Sequence, residues 1–113
     1  MASLKSLELR IRLSIRTPKS KSDSEFGRGI AELCLGVRER GSLNAAAKSM
    51  GMAYSKAWRI IRDTEEALGL QLLKRDGAHG STLTKQANAL LDAYFAVSDQ
   101  LQAEAKATFR EKL

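Results

Sequence analysis

Residues 41–58, GSLNAAAKSMGMAYSKAW, carry two short helical patterns that meet at a glycine. Ser42 is a residue type that caps a helix start, and Leu43, Ala46 and Ala47 follow it at the spacing of one helix face. Gly51 supplies the backbone freedom that a tight inter-helix turn requires. The second pattern opens on Tyr54, Ser55 and Lys56, polar groups where a partner would be met. This order is that of a helix-turn-helix that reads DNA. Helices so short bury little alone, so they need the rest of the chain packed behind them.

The chain has 113 residues, 43% of them hydrophobic, which suits one domain with a modest core. Its formal charge of +6 favours a polyanionic partner, and the charge is unevenly placed. Residues 1–62 hold 13 Lys and Arg against 5 Asp and Glu, whereas residues 63–113 hold 6 against 8. The basic half is the half that contains the paired helices. Cys34 is the one cysteine, which rules out an internal disulfide and suits a reducing cytoplasm. No apolar run approaches the roughly 18 residues that span a bilayer, so a soluble, cytoplasmic protein is expected, with no membrane partner.

Upstream of the motif, residues 7–15 alternate Leu7, Leu9, Ile11, Leu13 and Ile15 with Glu8, Arg10, Arg12 and Ser14, the period of a half-buried strand. Two uses of its arginine face stay open: contact with phosphates, or a solvated face that discourages edge-to-edge pairing. A polar linker over residues 17–24 carries the sole proline. Residues 26–40 return to helical spacing with Ile30, Leu33, Cys34 and Val37 on one side, and Gly41 stops them. On that stripe Cys34 reads as a small buried hydrophobe rather than a reactive or metal-binding thiol.

The paired helices are expected at about residues 43–50 and 53–68. In the longer one Ala57, Ile60, Ile61, Thr64 and Leu68 make an inward stripe, leaving Tyr54, Ser55, Lys56, Arg59 and Arg62 outside. Its bases come first and its acids, Asp63, Glu65 and Glu66, come last, against the preference of the helix dipole. A basic front suits phosphates, and the pairs Arg59–Asp63 and Arg62–Glu66 are spaced to offset the misfit. Trp58 reads as an inward-packing residue, because duplex DNA offers an indole little to stack on.

Residues 70–84 read as two short strands around the turn DGAHGS, a hairpin wing. Lys74, Arg75 and His79 lie where such a wing meets backbone phosphate. His79 has no second histidine, cysteine or acidic cluster at ligand spacing, so no metal is expected. Residues 85–112 form one long helical pattern, with Ala87, Leu90, Leu91, Tyr94, Val97, Leu101, Ala105 and Thr108 in a stripe that outruns a small core. Leu90, Leu91, Tyr94, Val97, Leu101 and Ala105 are therefore expected to join a second copy, the alternative being a lone solvated helix.

The run FGRGIAELCLGVRERGSLNAAAKSMGMAYSKAW resembles the N-terminal winged-helix domain of the molybdate-responsive ModE regulators, in GS-L-x-x-A-A and in Y-x-x-A-W. EALGLQLLKRD and LTKQANALLDAY are similar both to that family and to the wider LysR-type DNA-binding domain. The resemblance spans residues 7 to about 97. It implies a dimeric transcription regulator with the helix after the turn in the major groove and the wing on flanking backbone. Ser42, Asn44, Tyr54, Ser55, Lys56 and Arg59 become the implied DNA contacts, and Trp58 a structural residue. Two departures matter: the glycine-rich wing shrinks to DGAHGS, and the chain stops before a molybdate-sensing domain, so molybdate responsiveness does not transfer.

The expected fold is mostly α with a small β-sheet (α+β), a single winged helix-turn-helix domain over residues 1–113 in the order β-α-α-α-β-β-α. The leading functional reading is a sequence-specific, homodimeric regulator of double-stranded DNA, with no cofactor. Lys56, Arg59, Arg75 and Lys85 would neutralise phosphates while Tyr54, Ser55 and Arg59 approach base edges. The alternative is an adaptor that keeps the winged helix without DNA readout. An enzyme is the weakest reading, since the lone His79 and Cys34 offer no nucleophile and base at recognisable spacing.

Overall fold

Gly51 sits at φ 65°, in the left-handed region where a side chain is strained, and this one residue lets two helices turn sharply onto a common core. The computed structural model describes residues 3–20, 23–77 and 80–113. After a single 3-10 turn at Leu4–Ser6 come α1 (Arg28–Arg40), α2 (Leu43–Ser49), α3 (Tyr54–Leu68), β1 (Leu73–Asp76), β2 (Gly80–Leu83) and α4 (Lys85–Lys112). The fold is mostly α with a small antiparallel sheet, a winged helix around a helix-turn-helix. The strands pair with Leu73 opposite Leu83 and Arg75 opposite Ser81.

Local chemistry accounts for the boundaries. The Ser42 hydroxyl accepts the Ala45 N–H at 3.1 Å and starts α2. Thr84 caps α4 by accepting from Ala87 N–H at 3.1 Å, and donates to Gln71 O at 2.6 Å, so one side chain ties helix to wing. α1 begins at Arg28, two residues later than the apolar spacing suggests, because Phe26 is held in a bridge to Ile15.

The core gathers Phe26, Leu33, Cys34, Val37, Leu43, Ile61, Leu72 and Leu91. Each fully buried aliphatic side chain there stabilises the fold by roughly 1.5–3 kcal/mol. α1 and α2 approach so closely that a Cβ on Gly36 would lie 2.7 Å from Ala46 Cβ. Burial pushes the Cys34 thiol up to about 12 from 9.0, which makes it a poor nucleophile. Arg38 fastens α1 to α4, its Nη1 2.9 Å from Asp92 Oδ1 and its Nε donating to Asn88 Oδ1 at 3.1 Å.

Residues 7–15 do not form the expected strand. Ile15 and Phe26 exchange two backbone hydrogen bonds of 2.9 Å, and the pairing stops there. The alternation persists in burial: Leu9, Ile11, Leu13 and Ile15 are half-buried, while Arg10, Arg12 and Ser14 are exposed. The apolar side chains have found a surface on α4, where Tyr94 Oη donates to Leu13 O at 3.2 Å. Beyond that bridge the backbone has no neighbouring strand among the described residues, and a strand needs one to receive its N–H and C=O groups.

α4 has 28 residues, about 42 Å of helix at ~1.5 Å per residue, but its buried residues end at Ser98. The radius of gyration, 16.7 Å, exceeds the ~13 Å typical of a compact chain this long, because the distal helix projects. Two residues expected at a dimer contact, Leu91 and Tyr94, lie in the core instead. Leu91 and Tyr94 are 0% and 2% exposed, part of the protomer's own core, and have no surface left for a partner. Leu90 is half-buried, whereas Val97 and Leu101 are 52% and 38% exposed. No helix among the described residues is long and apolar enough to cross a membrane.

Candidate nucleic-acid interface

The start of α2, the first turns of α3 and the wing enclose a cleft of about 250 Å³, lined by Ser42, Leu43, Asn44, Tyr54, Trp58, Arg75, Gly77, Gly80 and Ser81. Four of the residues singled out from sequence, Ser42, Asn44, Tyr54 and Arg75, thus converge from three elements. Ser81 N–H donates to Gly41 O at 3.1 Å, which holds β2 against the α1–α2 turn and closes one side.

Trp58 forms the floor. It is half-buried and packs on the core, as an inward residue should, yet its ring also organises the surface. Tyr54 meets it edge to face at 6.3 Å between centroids. The guanidinium carbons of Arg62 and Arg75 lie 5.7 and 5.5 Å from the ring centroid, one from α3 and one from β1. The indole N–H is buried and has no hydrogen-bond partner among the described residues.

Ser55, Lys56 and Arg59 are exposed along α3 outside the cleft, and Arg62 continues that row. The i,i+4 pairs Arg59–Asp63 and Arg62–Glu66 are not formed: among the described residues the ion pairs are Arg28–Glu32 and Arg38–Asp92, each 2.9 Å. Arg62 turns to the Trp58 face instead, where its planar cation meets a π cloud rather than a fully hydrated carboxylate. Glu65 is withdrawn from the basic row altogether. Its carboxylate accepts the N–H groups of Leu72 at 2.7 Å and Leu73 at 3.3 Å, pinning the wing to the end of α3. Lys56, Arg59, Arg62 and Arg75 therefore stand without carboxylate partners among the described residues, a surface suited to phosphate oxygens.

Lys85 is exposed at the start of α4 and does not line the cleft. His79 lies outside the described residues. Arg62 was legible as part of the basic front, whereas its seat on Trp58, and the aromatic floor itself, escaped the sequence reading. The i,i+4 spacing of Trp58 and Arg62 was the available sign, whereas the Trp58–Arg75 contact joins elements far apart in the chain. No group of three or more potential metal ligands occurs among the described residues.

Residues 31–88 match the family model for the bacterial regulatory helix-turn-helix protein, lysR family. The fold is shared with the crystal structure of a CbnR_DBD–DNA complex, with TM-score 0.61 and 23% identity over 74% of this chain and 94% of that one. A BenM_DBD/catB site 1 DNA complex superposes with TM-score 0.57 and 25% identity, over 71% and 88% of the two chains. Against full-length CbnR complexed with its target DNA the TM-score is 0.55 at 25% identity, and the match covers 68% of this chain but 27% of that one. No curated protein matches the chain.

Proposed function

The chain belongs to the lysR family of bacterial regulatory helix-turn-helix proteins, DNA-binding transcription regulators, and from that premise we propose that it is a sequence-specific, homodimeric member. The carrying observation is the convergence of Ser42, Asn44, Tyr54 and Arg75 on one cleft beside the exposed row Ser55, Lys56 and Arg59. In this reading the front of α3 enters the major groove, where Tyr54, Ser55 and Arg59 approach base edges. Lys56, Arg62 and Arg75 neutralise phosphates, and Lys85 adds a backbone contact from the start of α4. Ser42 and Asn44 sit on the adjoining strand backbone, with Ser42 already oriented by its capping bond. The regulator acts by occupying a promoter, a binding equilibrium with no covalent step.

Leu90, Val97, Leu101 and Ala105 supply the dimer contact on α4. Their support is the exposed apolar pair Val97 and Leu101 on a helix that has left the core. Within the family, the finer ModE-like reading is carried by Gly41-Ser42-Leu43, Ala46-Ala47 and Tyr54 with Ala57-Trp58, the residues that build and line the cleft. It concerns the DNA-binding residues only.

A fluorescence titration of the purified protein against promoter fragments tests the reading. Preference for one fragment over random duplex is expected, and it is lost in the double variant Lys56→Glu/Arg59→Glu with unchanged melting temperature. Equal affinity for all duplexes, or none at low salt, would favour the adaptor instead, and DNA binding that survives the double variant would take the readout away from Lys56 and Arg59.

A further inference from the structure

The segment before α1 lies outside the region matched to the family, and much of its backbone is left unpaired among the described residues. Between the turn that ends at Leu7 and the bridge at Ile15, the N–H groups of residues 8–14 make no hydrogen bond among the described residues. Its odd-numbered side chains Leu9, Ile11 and Leu13 are nevertheless half-buried, with the Leu13 carbonyl accepting from Tyr94 of α4 and Leu9 lining one hollow with Phe109 of the same helix. This is a strand lacking only its neighbour. Leu7 is 54% exposed, next to an open hollow of about 680 Å³ that Phe109 and Leu113 help to line.

We propose that residues 7–11 pair antiparallel with residues 7–11 of a second copy across a two-fold axis at Leu9. The inference rests on the homodimer proposed above and names a second element of its interface. The choice of occupant follows from charge. Pairing that keeps the apolar faces together must centre on one residue of the segment, and each centre sets different side chains opposite one another. Centring on Glu8 opposes Glu8 to itself. Centres at Arg10, Ile11, Arg12, Leu13 or Ser14 bring arginines opposite arginines, counting Arg16. The Leu9 centre places Glu8 opposite Arg10 twice, by symmetry, and Leu7 opposite Ile11. Among registers centred within residues 8–14, the stretch between the turn at Leu7 and the bridge at Ile15, like charges therefore exclude the others, while opposite charges select this one. Glu8 and Arg10 are both exposed and, among the described residues, neither has an ion-pair partner. The second copy's Ile11 would cover exposed Leu7. On α4, Val97 and Leu101 lie at helix positions next to the strip the segment occupies, so the strand pair would continue the helix contact.

Sedimentation equilibrium of the full chain tests this, with DNA titration run in parallel on each variant. Glu8→Arg and Arg10→Glu are each expected to weaken self-association several-fold, and Glu8→Arg/Arg10→Glu to restore it. Leu9→Cys should be cross-linked to its twin by a short bis-maleimide, whereas Ser14→Cys, whose twin stands roughly 33 Å away in this register, should not. The native Cys34 is buried and leaves the background clean. Dimers indifferent to the charge variants and not cross-linked at Leu9→Cys overturn the strand pairing while leaving the α4 dimer standing. Single-variant losses that the double variant does not restore overturn the register. A wild-type monomer at all concentrations overturns the homodimer and this inference with it, and the DNA titration then judges DNA binding separately.

Discussion

The Arg75 guanidinium rests 5.5 Å from the centroid of the Trp58 ring, so the wing leans on the side chain of the helix proposed to read DNA. Arg62 takes the same ring at 5.7 Å. Two cations from different elements share one aromatic platform, and the wing's approach to α3 depends on it. Trp58→Ala should destabilise by about 2–3 kcal/mol, at or below the low end of the range for fully buried tryptophans because the residue is only partly buried. Trp58→Phe keeps a platform and removes a buried indole N–H that has no partner among the described residues, so its change should stay under about 1 kcal/mol. Urea denaturation of the two variants checks the contrast.

Glu65 is a wing anchor rather than a solvated acid. Removing its carboxylate in Glu65→Ala leaves the N–H groups of Leu72 and Leu73 without their acceptor, at a cost of about 1–3 kcal/mol. Glu65→Gln retains an acceptor oxygen and should lose less. Amide hydrogen exchange at Leu72 and Leu73 should accelerate in the alanine variant and much less in the glutamine one.

The α1–α2 contact has no room for a methyl group at Gly36, where Ala46 Cβ would be 2.7 Å away. Gly36→Ala should cost about 1–3 kcal/mol through overpacking. Ala46→Gly removes the clashing atom while losing about 1 kcal/mol of helix propensity. The double variant should be more stable than the sum of the singles implies, which a thermodynamic cycle measures directly.

If Lys56, Arg59, Arg62 and Arg75 each meet a phosphate, every neutralising substitution should lower the slope of log affinity against log salt by about 0.9. Arg62→Gln is the sharpest case, since sequence spacing assigned that residue to an ion pair and the structure assigns it to the Trp58 face. An unchanged salt slope in Arg62→Gln would remove it from the interface.

Cys34 makes stability fall at alkaline pH. Its folded thiol titrates at about 12 against 9.0 for a free one, so above pH 9 the unfolded chain has given up a proton that the folded chain keeps. Stability from this group is full below pH 9 and declines up to about pH 12, with a slope approaching about 1.4 kcal/mol per unit. Subtracting the profile of Cys34→Ala isolates it from the tyrosines and lysines. Ellman's reagent should find no accessible thiol until the protein unfolds.

The helix-turn-helix, its glycine turn, the hairpin wing and the long last helix were all legible in the chain, because each is written in short-range terms. Ser42 precedes its helix, Gly51 sits where φ must be positive, and residues 85–112 run without glycine or proline. The convergence of Ser42, Asn44, Tyr54 and Arg75 could not be read there, since no spacing rule relates a wing residue to a helix start. The alternation over residues 7–15 correctly reported a chain with one face covered. It could not say whether that face met a sheet or a helix, as period two records side-chain burial and not backbone pairing.

Periodicity and capping thus sufficed for the secondary structure from α1 onward, and the basic front of α3 pointed to a polyanion. The fates of Leu91, Tyr94, Glu65 and Arg62 were settled by packing. Leu91 and Tyr94 share an apolar stripe with Val97 and Leu101, yet α4 touches the core only as far as Ser98, so one stripe serves two surfaces. Glu65 and Arg62 are ordinary helix charges until a wing backbone and an indole ring arrive beside them. Local rules act between residues a turn apart, whereas these contacts exist only once distant elements have been brought together.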